Sequence, residues 1–353
     1  MAAKSSRGKQ QPISRRNLLK AGLGGAGLAG AAAIGLRVDP ARTANSHESH
    51  SPHGHAPHLM PTVVGEVDHV RNGFNPTEML NDFDMGQVSK LPSGQPLREY
   101  SIIAENKVIE IVPGLQYAAW TYNGRIPGPT IRVRQGDRVR IKFLNAGDHE
   151  HSIHFHGIHP ANMDGVFDAG SGVVQPGEKY AYEFDAEPFG VHLYHCHTTP
   201  LAKHISKGLY GAFIIDPHEA RAKADREIVM VMSGYDVDFD GKNDFYVVNG
   251  IPFHYNHDKH PIQLKVNELV RIYLVNVLEF DPINSFHLHA NFFHYYPTGT
   301  SLTPSEFTDT ISLMQGQRGI LEFRYKHPGR YMFHAHKTEF AELGWTGVFE
   351  VEA

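Results

Sequence analysis

"TIRVRQGDRVRIKFLN", residues 130–145, holds two apolar alternations separated by Gly136 and Asp137. Ile131 and Val133, then Val139, Ile141 and Phe143, fall at every second position, the spacing of strands with one buried face. The pattern returns 131 residues later as "PIQLKVNELVRIYLVN", residues 261–276. Ile131, Val139, Arg140, Ile141 and Asn145 then lie over Ile262, Val270, Arg271, Ile272 and Asn276. Outward from this pair, "YNG" (122–124) faces "VNG" (248–250), "HFHG" (154–157) faces "HLHA" (287–290), and "YHCH" (194–197) faces "FHAH" (333–336). Such self-similarity is the mark of a tandem duplication. Short β-rich runs between Gly, Pro, Asn and Asp make each copy a β-sandwich, at 98–218 and 225–353. Long helical periodicity is absent, apart from a short candidate after Asn75-Pro76.

The remainder of the chain bounds the setting. A formal charge of −5 and no internal Lys/Arg block argue against a nucleic-acid partner. Ser14-Arg15-Arg16-Asn17-Leu18-Leu19-Lys20, before a Gly/Ala-rich stretch, fits a twin-arginine export signal over 1–44. The glycines in that stretch make it a poor membrane span, and no later segment offers 18 apolar residues in a row. A periplasmic or extracellular protein, without a membrane span in its mature form, is expected. Residues 45–97 read as a linker and N-terminal extension. His47, His50, His53, His55 and His58 lie there among Ser, Pro and Gly, a composition that cannot form a core.

Cys196 is the only cysteine, so no disulfide forms within the chain, and the 25 histidines turn attention to metal. Comparing the copies shows what the second lacks. Cys196 becomes Ala335, His151 becomes Asn284, and His204 faces Phe340 when the "GLYG" and "GWTG" turns are matched. Three losses together indicate one site that copy one keeps. Strand parity puts Cys196 on one face and His195 and His197 on the other, with His154 and His156 likewise opposite His151. A thiolate with two imidazoles is the ligand set of a trigonal blue-copper centre; a tetrahedral zinc site with a fourth ligand is the other chemistry open to it. The paired histidines persist in both copies: His154, His156, His195 and His197, then His287, His289, His334 and His336. Eight imidazoles exceed one metal's needs and suit a cluster of copper ions where a copy-one face meets a copy-two face.

"HSIHFHG" (151–157) resembles the H-x-x-H-x-H-G motif of multicopper oxidases, and "HCHTTPLAKHISKGLYG" (195–211) resembles their H-C-H motif with a longer gap to the next His. The resemblance is to the two-domain oxidases (small laccases and blue copper oxidases) with type 1 copper in the first domain. It implies an all-β chain of two tandem cupredoxin-like Greek-key sandwich domains. It also implies about four coppers per chain, one type 1, one type 2 and two type 3. The implied type 1 ligands are His151, Cys196 and His204, with Leu209 at the axial position. His154 and His287 would hold type 2 copper; His156, His195, His197, His289, His334 and His336 would hold type 3. The family forms homotrimers with each cluster between two subunits.

That resemblance further implies dioxygen as oxidant. The donor would be a phenol, an aromatic amine, a metal ion or an electron-carrier protein. Asp164 in "NMDGV" resembles the family's aspartate near the type 2 water, and Glu339 and Glu342 are further candidates for proton delivery. Copper nitrite reductases are the rival, sharing the two-domain trimer and a similar loop after the cysteine. They carry an aspartate where this chain has His154, and lack a histidine at His197. A one-copper carrier or electron-transfer cupredoxin would leave the paired histidines without a task.

Overall fold

The computed structural model describes residues 65–170, 172–256, 258 and 260–353. The expected export signal and the His-rich stretch up to His58 lie outside these residues. The strands of the first sandwich are β1 (Phe83–Asp84), β2 (Gln87–Lys90), β3 (Pro96–Val112), β4 (Leu115–Tyr122) and β5 (Thr130–Arg134), then β6 (Arg138–Asn145), β7 (His154–Phe155), β8 (Lys179–Asp185), β9 (Gly190–His195) and β10 (Tyr210–Asp216). The second contains β11 (Arg226–Tyr235), β12 (Phe245–Val248), β13 (Ile262–Lys265), β14 (Val270–Asn276), β15 (Ile283–Leu288) and β16 (Phe293–Pro297), then β17 (Glu306–Thr308), β18 (Thr310–Met314), β19 (Arg318–Phe323), β20 (Gly329–His334) and β21 (Thr346–Glu352).

The alternation that opened the sequence reading is β5 and β6. Ile131, Val133, Val139, Ile141 and Phe143 are all buried in the first core. The two strands enter different sheets, β1-β5-β10-β9-β7 and β2-β3-β6-β8 with β4 on β3. Copy two repeats the plan as β13-β21-β20-β15-β18 and β12-β11-β14-β19-β16-β17. The duplication extends to pairing sense. Parallel pairs β5/β10 and β3/β6 recur as β13/β21 and β11/β14, and antiparallel β9/β10 recurs as β20/β21. Sheet neighbours distant in sequence are the crossovers that a Greek key requires. Each sandwich has its own core of inward-facing side chains, and the described residues form two tandem cupredoxin-like sandwiches.

Two local outcomes refine the sequence reading. Asn75 caps the short helix Pro76–Met79, its side chain accepting from the Thr77 N–H at 3.0 Å, with Pro76 in the first turn. The first sandwich begins before residue 98, because β1 and β2 already belong to its sheets. β2 is exposed at all four positions, so it has no alternation to reveal it.

Candidate copper centres

The inner and outer faces of one strand pair separate two kinds of site. In the first sandwich β7 pairs with β9 so that His154 faces His195. Ile153 and Phe155 point into the core, as does Cys196. His151 is equally buried. Only two residues of 151–155 are regular strand, yet the parity holds because the apolar Ile153 and Phe155 fix which face is inside.

On the inner face, Cys196 Sγ lies 3.3 Å from His204 Nδ1 and 3.9 Å from His151 Nδ1, and the two Nδ1 atoms are 3.2 Å apart. His204 comes from the short helix Leu201–Ser206, which the extended loop after the cysteine forms. The Cys196 N–H donates to the Leu209 carbonyl at 2.9 Å, closing that loop. The Ser152 N–H points at the sulfur, 3.4 Å away. Burial and then the neighbouring His204 hold the His151 pKa down at about 3; burial, then His149, hold that of His204 at about 4. Both rings are therefore neutral, the form that ligates metal. Burial raises the Cys196 thiol pKa. A bound cation reverses that, because coordination deprotonates a thiol. One soft sulfur and two imidazole nitrogens, converging without a carboxylate, fit copper. Trp120 packs over the centre, its ring centroid 4.7 Å from that of His204 and 5.2 Å from that of His151.

On the outer face, His156 Nε2 and His195 Nε2 lie 2.8 Å apart, with the rings of His154 and His197 about them. His195 Nδ1 is 2.8 Å from its neighbour's carbonyl, Cys196 O. Burial, followed by the His195 charge, lowers the His156 pKa to about 3; burial lowers that of His195 to about 4. Copy two builds the same figure. His289 Nε2 and His334 Nε2 are 2.9 Å apart, His287 faces His334 across β15 and β20, and His336 completes the four. Its N–H donates to Ser285 Oγ at 2.8 Å, as the His197 N–H does to Ser152 Oγ at 3.2 Å. Among the described residues, ring contacts join the histidines within each set and none joins the two sets.

The carboxylates fare differently. Asp164 Oδ1 accepts at 2.8 Å from His154 Nδ1, an outer partner of the kind that orients metal-bound imidazole. A backbone carbonyl faces the same ring nitrogen in both copies, Asp164 O at 3.1 Å from His154 Nδ1 and Asp309 O at 3.0 Å from His287 Nδ1, but in copy two the side-chain partner is Thr310 Oγ1 at 2.8 Å. Glu339 and Glu342 lie exposed on the short helix Thr338–Glu342, Glu339 beside Lys337 at 3.9 Å. His159 was not anticipated, although its Nε2 is 3.4 Å from Asp164 Oδ1; the third histidine of "HFHGIHP" (154–160) was the available signal. Trp120, Ser152 and Ser285 also escaped the sequence reading, the serines despite matching between copies.

Where copy one has its sulfur site, copy two has a plug. The Ala335 N–H donates to the Trp345 carbonyl at 3.2 Å, the counterpart of Cys196 to Leu209. Phe340 occupies the place of His204 and stacks on Tyr246 at 3.7 Å, as Trp120 lies on His204. Asn284, in the place of His151, donates from Nδ2 to Asn276 Oδ1 at 3.2 Å. Ala335, Phe340 and Trp345 belong to the second core.

Two family models, both described as multicopper oxidase, match residues 104–220 and 225–353. A solved structure described as a multicopper oxidase is similar with TM-score 0.79 and 61% identity, over 81% of this chain and 100% of that one. The copper nitrite reductase from Nitrosomonas europaea superposes with TM-score 0.67 at 29% identity, over 72% of this chain and 94% of that one. The copper-containing nitrite reductase of Neisseria meningitidis serogroup A is 29% identical over 266 residues, 70% of this chain and 67% of that protein. With both sandwiches matched over more than half of its length, the chain belongs to the multicopper oxidase family.

Proposed function

We propose that this protein is a laccase-like oxidase that takes electrons singly from a small reducing substrate or an electron-carrier protein and passes them to dioxygen. The observation that carries the reading is the placement of Cys196. Its sulfur lies in the inner trio with His151 and His204, while its two chain neighbours, His195 and His197, belong to the outer set. One covalent link therefore joins two metal sites. Bound copper supplies the one-electron couple at Cys196 and the reduction of dioxygen to two waters at the histidine cluster.

The protein's own groups set the conditions. His151, Cys196 and His204 would hold the type 1 ion, and Leu209, whose side chain has no donor atom, would add no ligand to them. His154 and His287 would hold type 2 copper; His156, His195, His197, His289, His334 and His336 would hold the type 3 pair. Each sandwich holds only half of this cluster, which supports a homotrimer whose subunits bring the halves together. Asp164 fixes the His154 ring and, with His159 beside it, offers a route for protons on that side. The Ser14–Lys20 stretch, read as a twin-arginine export signal, favours a periplasmic or extracellular site of action.

Copper counting with gas measurements tests the reading. About four coppers per chain and oxygen uptake with a phenolic donor are expected. Nitric oxide from nitrite without oxygen uptake, at about two coppers per chain, would establish the nitrite reductase reading, which the similarity to those enzymes supports.

Two variants probe the sites separately. Leu209→Met should lower the type 1 reduction potential, because an axial thioether stabilises the oxidised ion. A potentiometric titration giving an equal or higher value places the axial position elsewhere. Asp164→Ala should cut copper affinity or turnover by about 10–100-fold, the usual cost of losing a ligand's orienting partner. Asp164→Asn retains an acceptor for His154 and should restore the copper content, but with an altered pH profile of kcat.

A further inference from the structure

Away from both copper centres, three other histidines meet. His69 begins the short helix His69–Asn72, His254 opens the 3-10 turn His254–Asn256, and His260 lies two residues before β13. The rings of His254 and His260 stack with centroids 4.4 Å apart and planes at 12°, and His69 stands edge-on to them at 5.0 and 6.0 Å. One ligand nitrogen from each lies within 4.8 Å of the other two. A tetrahedral ion with metal–nitrogen bonds of about 2.0–2.1 Å spaces its ligands about 3.3 Å apart, so closure needs ring shifts on the order of 1 Å.

Partners outside the trio hold two of the rings. Thr77 Oγ1 is 2.8 Å from His254 Nε2, and Glu66 Oε1 is 2.8 Å from His260 Nε2. A carboxylate or hydroxyl behind an imidazole is the arrangement found around metal-bound histidine. Among the described residues, the buried Nδ1 atom of His69 finds no hydrogen-bond partner. Native structures seldom leave such an atom unsatisfied unless an ion or a water completes it. Burial, then the His260 charge, lowers the His69 pKa, keeping the ring in its ligating form.

We propose that His69, His254 and His260 form a further metal site, for an imidazole-preferring divalent cation such as Zn(II) or Cu(II). The site fastens the segment before the first sandwich to the second. That segment already touches both: the Asn72 side chain bonds the backbone of Glu110 at 2.8 and 2.9 Å, and the Tyr255 hydroxyl donates to the Pro76 carbonyl at 2.7 Å. No ligand of either copper centre takes part, so the ion here is structural rather than a carrier of electrons.

The test uses the full copper-loaded chain, titrated with Zn(II), desalted and assayed for metal, beside His69→Ala and His260→Gln. The wild type should retain one more zinc per chain than either variant, and zinc should raise its thermal midpoint but not theirs. Blue absorption and oxygen uptake should be equal in all three. The His-rich stretch is intact in every sample, so its binding cancels in the difference. Equal zinc and equal thermal response in all three overturns the site. Should one variant lose its blue absorption through misfolding, the other decides. Cu(II) added in place of zinc should give, beyond the non-blue signal common to all three, an additional non-blue EPR component in the wild type that both variants lack, and identical spectra in all three also overturn the site.

Discussion

Cys196→Ser is expected to yield a protein without intense blue colour, one copper short per chain, with turnover reduced by more than about 100-fold. Loss of a ligand's orienting partner already costs 10–100-fold, and here the ligand itself is lost. A serine hydroxyl is a hard, neutral donor where copper takes a soft thiolate, and thiolate-to-copper charge transfer ends with the sulfur. The fold should persist. Ser152 offers its N–H to whatever atom replaces Sγ, and Ala335 shows that the same backbone turn closes around a side chain without sulfur. The stability change should stay near the 1 kcal/mol typical of point substitutions. Visible absorption, copper analysis and circular dichroism check the three parts. Retained blue colour would remove Cys196 from the metal.

Mixing two inactive proteins should restore about a quarter of the activity. In the proposed shared cluster, His156→Ala would disable the copy-one half and His289→Ala the copy-two half, and each alone should fall below measurable turnover. In a ring built from heterologous contacts, each site takes its halves from neighbouring subunits. Random assortment of equal amounts gives an intact copy-one half beside an intact copy-two half at about one interface in four. Oxygen-uptake assays on the whole co-expressed pool measure this directly, and mixed trimers isolated through separable tags should reach about one third. No recovery in mixed trimers would place each cluster within a single chain. Light scattering that gives a monomer with full copper content would exclude the ring as well.

Much of this was written in the sequence because two-residue periodicity carries both fold and site. The spacing that buries Ile131 and Val133 also sends His195 and His197 to the face opposite Cys196. The duplication then supplied an internal control, since Ala335, Asn284 and Phe340 mark by their absence which residues act together. Legibility stopped where periodicity stops. β2 is an exposed strand with no alternation. Asp164 reaches His154 across a loop that only the family resemblance flagged, and His159 joins them without a repeat partner. The His69, His254 and His260 trio joins chain segments 185 positions apart, and nothing local announces it. Both copies keep a backbone carbonyl on this ring, but the Asp164 carboxylate is replaced in copy two by the Thr310 hydroxyl, so chemistry diverged where architecture did not.

The plug of Ala335, Phe340 and Trp345 in the second sandwich has an effect on traffic. Had both copies kept their sulfur site, each proposed cluster could be fed from two sides. In the proposed oxidase, with one side sealed, each cluster would have a single inlet, and the four electrons for one oxygen would queue through the same cysteine. Speed at low donor supply is then set by how often Cys196 is refilled. In that scheme a donor that docks well beside His204 would gain in full, because no second gate would share the load.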